Sequence, residues 1–219
     1  MKKILTIIIS VALVAAIAIG GTLAYLSSTA NDTKLTNTFT TSTAGSKLDI
    51  KLDEGKVGYL DGKFTDTGET RVVENSYPII PGATMDKDPT VTVLADSAPC
   101  YVFVYVTDNA TVNSKDAATL GTIHSDWTPV AGYSGLYAYK SGTKVDTSST
   151  DNKLPAVFSN ITINSALTNA DTKATPAGKI NVQAYAYQAS GDSTYTKAET
   201  AAIELFFPAP PIVPPVQTP

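Results

Sequence analysis

The chain has 219 residues, a formal net charge of −4 and a single cysteine. Mild acidity argues against nucleic acid and anionic membrane surfaces as partners, because both select for basic patches. One cysteine excludes an intrachain disulfide framework, so the fold must rest on burial and hydrogen bonding.

The N-terminus reads as an export signal. Lys2 and Lys3 form a basic start, Ile4 to Ile19 an uncharged, predominantly apolar run, and Thr22 and Ala24 occupy the small-residue positions that a signal peptidase reads, which predicts cleavage between Ala24 and Tyr25. A retained membrane anchor is the alternative, since the run is close to the lower limit of about 17 residues for spanning a bilayer. Loss of Lys2 and Lys3 with the signal takes the net charge from −4 to −6. The expected organisation is a signal peptide over 1–24, a Thr-rich arm over 25–44, one folded domain over 45–207 and a proline-rich tail over 208–219. In the arm, eleven of the twenty residues from Ser27 to Ser46 are Ser or Thr, with Leu35 and Phe39 the only large apolar side chains. That is too little to hold a core, yet Thr permits β structure.

The domain that follows has the period of strands. "KLDIKLDEG" alternates Leu48, Ile50 and Leu52 with polar neighbours, and "TVTVLA" repeats the pattern with Val91 and Val93. "VGYLDGKFT" reads as a hairpin around Asp61-Gly62. "YVFVYV", Tyr101 to Val106, is apolar on both faces and predicts a central strand covered on both sides. "GLYAYK", "AVFSNITI" and "KINVQAYAYQ" are further strands, whereas "SKDAATLG" and "TYTKAETAA" look helical. Turns rich in Gly, Pro, Asn and Asp separate these elements. The pattern predicts an all-β antiparallel, jelly-roll-like sandwich with one or two short helices. The tail "PAPPIVPPVQTP" has six prolines and should be extended and semi-rigid.

Two stretches resemble a known family. "GGTLAYLSSTAND", then "TNTFT" and "KLDIKLDE", and further on "YPIIPGATMDKDPTVTVLADSAPCYVFVYV", are similar to exported proteins of the TasA and camelysin group, whose signals are processed by a SipW-type peptidase. The resemblance covers Met1 to about Val106. It implies a jelly-roll domain secreted by a Gram-positive bacterium to the cell surface or extracellular matrix. There it would be the subunit of biofilm-matrix fibres, joined by lending an N-terminal strand to the next copy. The partner is then the chain itself, head to tail, with a related minor matrix subunit or a cell-surface anchor as further partners, and no membrane once the signal is gone. Leu35, Asn37 and Phe39 would place one face of such a donor strand into a groove.

Other chemistry is weakly represented. Camelysin has been classed as a metallopeptidase, but zinc hydrolysis generally needs three protein ligands and an open position. The chain has one histidine, His124 in "TIHSDW" beside Asp126, and no HExxH. The lone Cys100 reads as a buried thiol and not as a nucleophile. Asp86 with Asp88, or Asp61 with Asp66, are conceivable calcium ligands without an EF-hand pattern, better read as solvated turns. Neither a cofactor nor a catalytic residue is expected. The competing non-enzymatic reading is an adhesin or carbohydrate-binding sandwich, for which the eleven tyrosines would be the resource. The spacing of Tyr137 with Tyr139 and of Tyr185 with Tyr187 instead predicts covered sheet faces.

Overall fold

The computed structural model describes residues 27–30, 47–146, 149–174, 179–189 and 193–208. The expected cleavage pair Ala24 and Tyr25, the arm positions Leu35, Asn37 and Phe39, and residues 209–219 of the tail lie outside the described residues.

The strands are β1 (Ser27–Ala30), β2 (Ile50–Asp53), β3 (Val57–Leu60), β4 (Lys63–Asp66), β5 (Thr84–Asp86), β6 (Thr90–Val93), β7 (Cys100–Asp108) and β8 (Thr111–Val112). They continue with β9 (Lys115–Asp116), β10 (Ala118–Leu120), β11 (Trp127–Pro129), β12 (Leu136–Tyr139), β13 (Asn152–Lys153), β14 (Asn160–Ile163) and β15 (Ile180–Gln188). Helix α1 (Tyr195–Phe206) follows the last strand. Pairings between these strands are all antiparallel. The largest sheet has the order β1-β15-β7-β12-β11, and two three-stranded sheets, β10-β14-β5 and β13-β6-β2, share a core with it. The molecule is an all-β antiparallel sandwich with one α-helix among the described residues.

Strand alternation builds that core. Along β7, Val102, Val104 and Val106 point into the sandwich, where they meet Val182, Ala184 and Ala186 of β15 and Ile50, Val91, Val93 and Ile161 of the opposite layer. The intervening Tyr101 and Phe103 point the other way, to a second cluster with Tyr185, Tyr187 and the helix residues Ala198 and Ala202. The expectation of a central strand covered on both faces is met: β15, over nine residue pairs, and β12 flank β7 within the sheet, while the opposite layer covers one face and α1 the other.

Helix α1 begins at Thr194, whose hydroxyl accepts the Lys197 amide N–H at 3.3 Å, and it stops just before Pro208. Ala198 and Ala202, four apart, put a small-residue stripe on the sheet and let the helix approach closely. Aromatic side chains fill the margins. Tyr195 meets Tyr101 and Phe103 at ring-centroid distances of 5.7 and 6.0 Å, while Phe206 and Phe207 meet Tyr105 at 5.2 and 5.0 Å.

The Asp61-Gly62 turn closes the β3–β4 hairpin as its sequence predicts, with φ of +47° and +83°, both in the left-handed region that a primed turn requires. Ser114 to Gly121, expected to be helical, is not. Asn113 and Ser114 have φ of +49° and +62° and turn β8 into β9, and the chain then runs into β10, which pairs with β14. Ala117 and Ala118, which favour helix locally, are buried in the sandwich core, and that burial overrides their propensity.

A sheet edge, a polar wall and a cavity

The N-terminal strand occupies a sheet edge. Ser27 lies opposite Tyr187, Ser28 opposite Ala186, Thr29 opposite Tyr185 and Ala30 opposite Ala184. Only four of the nine β15 residues take part, and the N-terminal part of β15 runs on past β1. Both β1 and β15 come close to β2, the edge strand of the β13-β6-β2 sheet.

Beside this edge stands a wall of paired charges. Asp53 and Glu54, at the end of β2, are both 5 % exposed, an unusual burial for carboxylates that requires partners. Arg71 reaches Asp53 through Nε at 2.5 Å and Asp88 through Nη1 at 2.7 Å, while its Nη2 donates to the carbonyls of Asp53 and Asp88 and to Thr90 Oγ1. Burial alone would lower the pKa of this guanidinium, but its bonds to Asp88 and Asp53 outweigh that and raise it. Lys87, also buried, donates to Glu54 Oε2 at 2.6 Å, and Asn75 donates to Glu54 Oε1 at 2.9 Å and to the Gly55 carbonyl. The segment from Arg71 to Tyr77 is thereby fastened to β2 through polar bonds. Lys87 also lies over the Tyr77 ring, 5.5 Å from its centroid. Burial, reinforced by the charge of Glu54, pushes the Tyr77 phenol above its ordinary range, and its hydroxyl has no hydrogen-bond partner among the described residues.

The wall borders a cavity of about 280 Å³. Its floor is apolar, from Leu52, Ile161, Ile163, Ile180 and Val182, and the exposed Lys179–Glu74 ion pair, 3.0 Å apart, stands on its rim. The cavity therefore opens at the same end of β15 that extends beyond β1.

The other candidate residues are dispersed. His124 is exposed on a loop, with Nδ1 accepting the Asp126 amide N–H at 3.1 Å, and the Asp126 carboxylate faces Lys140 at 3.4 Å. Asp66 and Asp86 do meet, but as a chain clamp: Asp86 Oδ2 accepts the Thr65 hydroxyl and the Asp66 amide, while Asp66 Oδ1 accepts the Gly68 amide. Asp88 is committed to Arg71 and to the Gly55 amide, and Asp61 sits in the hairpin turn. Among the described residues no group of three or more His, Cys, Asp or Glu side chains is placed to hold a metal ion. Cys100 is fully buried, and burial, with a smaller push from Asp146, raises its thiol to about 12. Tyr185 and Tyr187 are buried under α1, and Tyr137 and Tyr139 pack against the sandwich core, so both pairs mark covered faces as their spacing predicts.

Sequence reading passed over the polar wall and the cavity. The wall is assembled from residues up to 35 positions apart, Asp53 to Asp88, and one signal stood in the composition: Arg71 is the only arginine of the chain. Comparisons with family models, with curated proteins and with solved structures gave no match.

Proposed function

We propose that the protein is an exported structural subunit of cell-surface or biofilm-matrix fibres, whose copies join head to tail when the N-terminal strand of one pairs with a sheet edge of the next. The observation that carries this reading is the position of β1. It belongs to the segment expected to begin the mature chain, residues 31–46 separate it from the next described residue, and it is an edge strand bound by four residue pairs. Backbone pairing at an edge is indifferent to which copy supplies the strand. A strand released from its own β15 can take the same place on a neighbour, and because the donor and acceptor surfaces differ, the contact is head-to-tail and repeats as an open filament wherever its rotation does not close a ring. The export signal and the Thr-rich, β-permissive arm agree with such a role, which needs no catalytic residue.

The test uses a cross-link across the register. Ser28→Cys and Ala186→Cys introduce thiols at directly opposed positions. In the mature protein, started at Tyr25 and concentrated until electron microscopy shows filaments, oxidation is expected to give a ladder of covalent oligomers on denaturing gels. Filaments that yield only intrachain cross-links would overturn the strand-exchange reading. Absence of filaments at any concentration would overturn the fibre reading itself.

A further inference from the structure

We propose that the cavity between β2, β14 and the start of β15 is a binding site for a small uncharged molecule with an aliphatic body of about ten non-hydrogen atoms. This inference is independent of the fibre reading. Size comes first: a dry apolar cavity of about 150 Å³ takes the six carbons of benzene, so one of about 280 Å³ takes roughly eleven heavy atoms. The floor formed by Leu52, Ile161, Ile163, Ile180 and Val182 offers an aliphatic body dispersion contacts and nothing to hydrogen-bond.

Charge then decides the class. The ionised groups lining the cavity are bound to one another or to neighbours in the wall: Glu54 to Lys87 at 2.6 Å, Asp53 to Arg71 at 2.5 Å, and Glu74 to Lys179 at 3.0 Å. A carboxylate-bearing ligand would have to break one of these pairs or sit buried beside Asp53 and Glu54, and either is costly. A neutral ligand meets no such penalty, and its single polar group can remain at the mouth, in water.

Octanamide and octanoate, equal in size and different in charge, make the test. In calorimetric titration of the mature chain at pH 7, octanamide is expected to bind saturably at one site, with octanoate at least tenfold weaker. Ala118→Leu places a larger side chain into the cavity and should abolish octanamide binding while circular dichroism stays that of the parent. Ala110→Leu, at a half-buried lining position, serves the same purpose should the first variant not fold. The proposal is overturned if octanamide shows no saturable binding, if octanoate binds equally well, or if the folded filled variants bind octanamide as the parent does. It is also overturned if octanamide does not bind and the filled variants lose filament formation, which would make the cavity the seat of a polypeptide segment.

Discussion

The two faces of the five-stranded sheet solve the same problem with different side chains. Toward the sandwich, β7 and β15 present Val102, Val104, Val106, Val182, Ala184 and Ala186. Toward the helix they present Tyr101, Phe103, Tyr105, Tyr185 and Tyr187. Between two sheets about 10 Å apart, both surfaces project side chains and small β-branched residues interdigitate to fill the space. A lone helix lying on a sheet makes a narrower contact, and here it approaches through Ala198 and Ala202, so rings must fill the flanks. One face is thus closed by many modest contributions and the other by a few large ones. Loss of a single residue should be felt more on the helix side.

Adjacent residues of β7 offer the most direct way to break this comparison. Phe103 and Val104 are both fully buried and point to opposite faces. Phe103→Ala is expected to cost about 3–5 kcal/mol and to reduce the near-ultraviolet dichroism of the aromatic cluster. Val104→Ala should cost about 2 kcal/mol and leave that signal intact. Urea denaturation followed by both signals decides it, and equal losses would dissolve the distinction between the faces.

A smaller effect, of different origin, is expected outside both faces. Asp171 is 3 % exposed and accepts bonds from Lys115, the Thr168 amide and hydroxyl, and Asn113, tying the β8–β9 hairpin to the 3₁₀ turn over Asp171–Lys173. Lys115 first, then these neighbours, hold its carboxyl well below the usual carboxylate range. A depressed folded-state value means that the unfolded chain takes up the proton first on acidification. The stabilisation is complete above the unfolded value of about 3.9 and fades as the pH falls below it. Asp171→Asn should therefore lower the thermal midpoint at pH 7, with the gap to the parent narrowing below about pH 4. Apolar contacts on the two sheet faces carry no such dependence, so a gap constant with pH would show that Asp171 acts by packing alone.

The mildest prediction perturbs nothing. Cys100 belongs to the sandwich face and its thiol is raised to about 12, so labelling of the native chain at pH 8 should be slower than in urea by about a hundredfold or more. In Phe103→Ala the thiol should stay protected under native conditions, which would show that the aromatic face can loosen without opening the sandwich.

Legibility in the sequence followed the range of the interactions. The Asp61-Gly62 turn and the helix from Tyr195 are set by neighbours within four positions, and both could be read directly. The two-sided burial of β7 was legible because no residue from Tyr101 to Val106 is charged. Ala118 misled because the partner that makes it strand, Ile163 of β14, lies more than forty positions away, and Ala117 joins β9 to β10. Asp53 falls among the polar neighbours of the alternating Leu48, Ile50 and Leu52, and only Arg71 and Lys87, arriving from the far side of a hairpin, explain how it and the adjoining Glu54 can be buried. The cavity is a gap between elements and leaves no local trace.

The four rungs between Ser27–Ala30 and Ala184–Tyr187 also carry a mechanical meaning. They lie side by side across the direction of the strands. A pull along the strand axis strains them together in shear, whereas a pull across the sheet would peel them one at a time. Resistance to such a load is governed by the rate of rupture and not by the equilibrium strength of the pairing. Whichever copy supplies β1, so short a strand can hold firm against tension along its length and still come away easily when lifted from its end.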